Sequence, residues 1–156
     1  RSARILESAG MLAHFAGDVP LAKKYFQDVI DLEPSVMNDD PDFTVNIHLG
    51  QILLKEGNKV DSEILLSNAL EVNLSEIENG SQDDAPPFNI ACIYAIRGKK
   101  EETLRWLDKA ISAKWCDYAM VTHGPWFESL RNDPDIIKKI EPIKERMNLL
   151  QKKSEE

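Results

Sequence analysis

Three glycines constrain this chain more than any other feature. Gly17, Gly57 and Gly98 stand 40 and 41 positions apart, and each separates two runs in which apolar residues recur at helical spacing. Glycine enters the left-handed backbone without a Cβ clash, so each of the three suits a turn that ends one helix and releases the next. The pattern is clearest around Gly98. Ile90, Ile93, Tyr94 and Ile96 precede it, Leu104, Leu107, Ala110 and Ile111 follow, and the short polar Arg97-Gly98-Lys99-Lys100 lies between. Such a helix pair cannot bury both apolar stripes alone. Repetition at a fixed period supplies neighbours of the same kind, which predicts an all-α solenoid of helix pairs.

The pairs are expected at about 3–16 with 19–32, 42–56 with 59–73, and 86–97 with 100–113. The first helix carries Ile5, Leu6, Ala9, Leu12, Ala13 and Ala16, and the second Leu21, Ala22, Tyr25, Phe26, Val29 and Ile30 before stopping at Pro34. Phe43, Val45, Ile47, Leu49, Ile52 and Leu53 mark the third, and Val60, Ile64, Leu65, Ala69 and Leu70 the fourth. Asp18 ahead of Pro20, Asp40 ahead of Pro41 and Asp133 ahead of Pro134 each supply an N-cap followed by a first-turn proline. Residues 75–87 (SEIENGSQDDAPP) read as a loop and 114–132 as irregular. The last amphipathic segment bears Ile136, Ile137, Ile140, Ile143, Met147 and Leu150. Pro142 should kink or split it, and the polar tail 151–156 should fray.

A length of 156 residues with 42% hydrophobic and 29% charged composition suits one globular domain spanning 1–156. No run approaches a membrane span, and a net charge of −8 argues against nucleic-acid or anionic-membrane partners, which need a basic surface. Acidic residues gather at Asp31–Asp42 and Glu71–Asp84, as solvated connectors do. Two cysteines make no disulfide framework, so reduced thiols and a cytoplasmic location are expected. Because Arg1 falls directly inside a helical pattern, the chain reads as a piece of a longer protein that could have carried a targeting segment.

Phosphate-binding, dinucleotide, zinc-protease, nucleophile-elbow and C-x-x-C patterns are all missing from the sequence. His14, His48 and His123 lack ligand spacing, although His14 and His48 could approach each other across neighbouring first helices. Cys92 and Cys116 read as packing residues, and Trp106, Trp115, Trp126 and Phe127 as core and cap. The expectation is no catalytic residue, no metal and no cofactor.

The three units resemble the tetratricopeptide repeat family. The first matches through Leu6, Ala9, Gly10, Ala13, Ala22, Phe26 and Pro34. The second does so through Leu49, Gly50, Leu53, Gly57, Leu66 and Ala69, with Ser62 where a small alanine is usual. The third has Ile90, Ala91, Tyr94, Gly98, Leu107 and Ala110, with Thr103 at the small position. A 40-residue period also fits HEAT or armadillo repeats. Those are set aside because the surplus falls between the pairs, around 37–42 and 77–83. Beyond 113, Tyr118-Ala119-Met120 and Pro125 to Pro134 (PWFESLRNDP) resemble the D-P-x-L-x-x-L-R-x-D-P-x-F ending of many multidomain members, with His123-Gly124-Pro125-Trp126 and Ile136 departing from it.

The resemblance implies a right-handed superhelical solenoid of three helix pairs, with repeats at about 3–36, 43–76 and 84–117 and capping helices at about 124–152. It implies the C-terminal array of a larger protein, and a concave groove that takes a peptide or helix of a partner. Carried across unit by unit, the groove positions are Glu7, Met11, His14 and Phe15; Ile47, His48, Gln51 and Lys55; and Phe88, Asn89, Cys92 and Ile96. The family's cationic clamp for acidic chaperone tails would fall on Glu7, Met11, His48, Ala85 and Asn89, and only Asn89 matches. An apolar or amphipathic protein ligand is therefore expected on a non-catalytic scaffold. The alternative is a structural spacer or self-association module, with homo-oligomers.

Overall fold

Each of the three glycine turns closes in the same way. In the computed structural model, which describes residues 2–37, 40 and 42–156, Gly17, Gly57 and Gly98 have φ of +81°, +87° and +69°. Each glycine N–H bonds to the carbonyl three residues back, and the next N–H to the carbonyl five back: Gly17 to His14 and Asp18 to Ala13, Gly57 to Leu54 and Asn58 to Leu53, Gly98 to Ala95 and Lys99 to Tyr94. Carbonyls that the ending helix leaves unpaired are thereby satisfied while the chain reverses. Asp18 then accepts the Leu21 N–H (3.1 Å) and Asn58 the Asp61 N–H (3.3 Å), so the following helix starts capped.

The result is all-helical, with no strand among the described residues. The helices are α1 (Ala3–Phe15), α2 (Val19–Leu32), α3 (Val45–Lys55), α4 (Lys59–Glu78), α5 (Ala85–Ile96), α6 (Lys100–Ser112), α7 (Tyr118–His123) and α8 (Pro134–Glu155). Short 3-10 turns occupy Pro34–Met37 and Pro125–Phe127. The partners are α1 with α2, α3 with α4, and α5 with α6. The chain divides into two compact units, Arg1–Gln82 and Asp83–Glu156.

In the first unit the two pairs repeat at an offset of 40 residues down to single contacts. A Cβ on Gly10 would lie 2.7 Å from the Phe26 ring, and one on Gly50 2.7 Å from Leu66 Cδ2. Only a residue without a side chain lets the paired helices cross this closely. Ala22 corresponds to Ser62, whose Oγ donates to the Gly50 carbonyl at 2.6 Å. The serine thus stays small, as Ala22 is, and satisfies its hydroxyl inside the crossing. Leu6, Ala13, Ala22, Phe26, Val29, Val36, Val45 and Ile52 share the core of this unit.

Several boundaries depart from the sequence reading. Helix α3 begins at Val45 rather than 42, because Asp40 accepts the Asp42 N–H (3.0 Å) in a local turn and the chain straightens into a helix only after Thr44. The first-turn proline expected at Pro41 lies outside the described residues. Helix α4 runs to Glu78, so the expected loop at 75–87 shrinks to 79–84. Leu70, Asn73, Leu74 and Ile77 continue its inward stripe, and buried Asn73 turns its amide onto the Ala69 carbonyl (2.8 Å). At 11 and 20 residues, the helices of this second pair are also less alike than those of the other two, and part of the surplus near 77–83 is helix. The stretch 114–132 contains α7 and the Pro125–Phe127 turn. Pro142 does not split α8: it sits on the exposed side, where water can take the carbonyl it leaves unbonded, while Ile140 and Ile143 stay buried. The tail is helical to Glu155.

Burial also divides the apolar stripes. Ile5 (64% exposed), Leu12 (72%), Val60 and Ile64 face outward, as do Ile137, Met147 and Leu150 of α8. Periodicity assigns a residue to an apolar flank, and a helix pair covers only the flank turned to its partner.

The second unit is built on α5, which is apolar on nearly every side. Trp126 and Phe127 are buried beside it, and Ser129 Oγ donates to the Ala95 carbonyl (3.2 Å). Arg131 donates to the carbonyls of Thr122 (3.2 Å) and Gly124 (2.8 Å), fastening the turn between α7 and α8. A Cβ on Gly124 would run into the Met120 carbonyl oxygen, which explains the glycine there. Asp133 caps α8 through the Asp135 N–H (2.9 Å), and Lys100 of α6 reaches both carboxylates, at 3.0 and 2.6 Å. That ion pairing holds Asp133 below the usual carboxylate range and raises Lys100.

Candidate functional site

Eight of the expected groove positions lie in the first unit, four on α1 and four on α3. The 40-residue register pairs Glu7 with Ile47, Met11 with Gln51, and Phe15 with Lys55. Glu7 is buried, and its Oε1 accepts both the Thr44 N–H (2.6 Å) and the Thr44 hydroxyl (3.0 Å). Burial pushes the Glu7 carboxyl above its ordinary range against these hydrogen bonds and the Arg4 charge. Thr44, just ahead of α3, has its hydroxyl committed to Glu7 and so gives no side-chain cap to its own helix. Nothing in the sequence pointed to Thr44, since 37 residues separate the partners.

His14 and His48 do meet. Their Nδ1 atoms lie 2.7 Å apart, so one ring donates and the other accepts. Both rings are buried; His48 stacks on Phe26 with centroids 5.0 Å apart and an interplanar angle of 23°. Burial, and after it the neighbouring His14, drives His48 well below the ordinary imidazole range and keeps it neutral. Ile47 and Gln51 are buried too. Met11 and Phe15 are half-buried, and Lys55 is exposed.

The four positions in the second unit divide similarly. Phe88 is 6% exposed and stacks on Trp115 (4.4 Å, 15°) and on Phe127 (6.2 Å, 13°). Asn89 is buried. Cys92 is fully buried, and burial pushes its thiol well up, so it stays protonated and unreactive. Ile96 is half-buried. Of the twelve, therefore, Met11, Phe15, Lys55 and Ile96 offer surface, and the other eight are buried.

No family model, curated protein or solved structure matches the chain. Among the described residues no group of three or more His, Cys, Asp or Glu converges as a metal site, and no helix is long and apolar enough to cross a membrane. A cavity of 430 Å³ opens beside Leu104, Asp135, Lys138, Lys139 and Pro142. Its Asp135 is paired with Lys100 and its Lys139 with Asp108 (2.6 Å), which leaves little polar chemistry directed into it. Outside the expected set, Arg4 donates to the Asp42 carbonyl and carboxylate, both at 2.8 Å, and lies 4.5 Å from the Phe43 ring centroid. It ties the approach to α3 back onto α1.

Proposed function

We propose that the chain is a non-catalytic protein-interaction scaffold, a tetratricopeptide-like array in which α1 and α3 present a peptide- or helix-binding face. In this reading the three helix pairs wind as a right-handed superhelical solenoid, with α7, α8 and the turn between them as its cap. The observation that carries the proposal is the repetition of the first unit. Its two first helices are tied together by buried Glu7 on Thr44, just ahead of α3, and by His14 on His48, while Met11 and Phe15 of α1 stay half-buried and Lys55 of α3 exposed. A bed held by buried hydrogen bonds is preorganised, so a ligand does not have to order it.

The ligand chemistry follows from what remains open. Met11 and Phe15 offer adaptable apolar surface, which suits an amphipathic helix or an apolar extended segment more than an acidic tail. Selection of displayed helical peptides against the immobilised full chain tests this. Selected peptides should lose at least about tenfold in affinity on Met11→Glu and on Phe15→Glu, about 1.4 kcal/mol, and bind Val60→Glu normally. Failure to select any binder, or binders indifferent to both substitutions, would remove the face.

A further inference from the structure

The register within the first unit lets one helix pair be read against the other. Val45 and Ile52 lie on one stripe of α3, are 0% and 2% exposed, and share a buried cluster with Ala22, Phe26 and Val29 of α2. That is how the first pair covers the outer side of α3. Forty residues earlier the same two positions are Ile5 and Leu12 of α1. They are again apolar and again on one stripe, with Ala9 between them and Ala16 beyond, yet they are 64% and 72% exposed. Single exposed leucines are ordinary on protein surfaces. A bare stripe in the register of a filled interface is different, because the sequence keeps the interface residues where nothing covers them.

We propose that this side of α1 docks a further helix pair of the same kind, outside residues 1–156. Contact would come through a second helix with a small, an aromatic and a β-branched residue at i, i+4 and i+7, as Ala22, Phe26 and Val29 stand on α2. The borders of the stripe favour an apolar occupant. Ser8 turns its hydroxyl back to the Arg4 carbonyl (2.9 Å), and Arg4 is directed to Asp42 and Phe43. No charged side chain of α1 reaches across the stripe to demand a counter-ion. Docking on this stripe requires no ligand at Met11 and Phe15.

The test duplicates residues 2–41 ahead of Ser2, so that the native connector joins an added helix pair to the full chain. The thermal midpoint should rise by at least about 4 °C. Leu12→Glu in the downstream copy should cancel that rise, whereas in the 156-residue chain the same substitution should shift the midpoint by less than about 1 °C, because Leu12 is exposed there. No rise, or a rise that survives Leu12→Glu, would overturn the proposal. Sedimentation showing self-association of the 156-residue chain that Leu12→Glu abolishes would overturn it as well, by giving the face to a second copy.

Discussion

The two units hold their first helices in place with different chemistry. In the first, α1 and the entry to α3 meet through groups that titrate: Glu7 on Thr44, and His14 on His48. In the second, α5 is held by rings, with Phe88 stacked on Trp115 and Phe127 and a thiol that stays neutral. Charge is divided as unequally. Residues 1–82 hold 6 Lys and Arg against 14 Asp and Glu, residues 83–156 hold 13 against 13, and the whole formal charge of −8 therefore sits in the first unit. One helix-pair motif can thus be secured by hydrogen bonds that depend on protonation or by buried area alone, and only the first kind responds to pH.

Removing a ring from the second unit should have the largest effect. Phe127 is fully buried, and Phe127→Ala should destabilise by about 3–5 kcal/mol in urea titration. Amide protection should be lost first in residues 83–156. If residues 2–82 lost protection first instead, the second unit would not owe its stability to the stack, and the contrast would fail.

The pH response comes next and belongs to the first unit. His48 is held below its unfolded value, so the unfolded chain binds the additional proton; the stability contributed by neutral His48 is complete above about pH 6.5 and is lost as pH falls below it. The loss can reach about 1.4 kcal/mol per pH unit while that single proton is taken up. Glu7 acts in the opposite sense. Its raised value favours the protonated folded state, so its burial destabilises above the folded value and that cost is relieved as pH falls through it, nearer the carboxylate range. Urea midpoints should therefore fall from pH 7 to pH 5. His48→Leu should flatten that slope, and hydrogen exchange should place the change in residues 2–82. In the second unit Asp133, held low by Lys100, contributes above the unfolded carboxylate value and loses its contribution only in more acidic solution. A slope of equal size in residues 83–156 would erase the comparison.

The smallest effect concerns a turn that lacks its glycine. Lys114 has φ +77°, and the chain closes there as at Gly98, with Lys114 N–H on the Ile111 carbonyl and Trp115 N–H on that of Ala110. Lys114→Gly should relieve the left-handed strain and stabilise by up to about 1 kcal/mol, less the added freedom of the unfolded chain. An unchanged or lowered denaturation midpoint would show that the turn is unstrained.

The helix pairs were legible in the sequence because Gly17, Gly57 and Gly98 do what their spacing suggested, and because Gly10 and Gly50 permit close crossings that nothing larger would. The end of α4 was hidden by composition: Ser75, Asn79, Gly80 and Ser81 look like a loop, and the local signal outweighed Leu74 and Ile77. The true start of α3 follows the local turn that Asp40 closes on the Asp42 N–H, and the Thr44 that precedes the helix is held by Glu7 across 37 residues, a contact that no local window contains. The histidine pair could be anticipated as an approach but not as a buried contact. For the candidate face, helical spacing named the side of each helix and could not say which side chains become its floor. Phe88 and Ile47 read as surface until the rings and the neighbouring helix close over them, whereas Met11 and Phe15 keep part of theirs.

The central proposal is that the apolar surface of Met11 and Phe15 on α1 binds a protein segment. Calorimetric titration of the full chain with a display-selected helical peptide, at low and at high salt, measures it directly. Burial at Met11 and Phe15 should yield a negative heat-capacity change and an affinity that varies less than about threefold with salt, and Phe15→Glu should abolish the heat of binding. A steep loss of affinity with salt, or binding by Phe15→Glu equal to that of the parent chain, would contradict it and move the interface to the charged surface of the first unit.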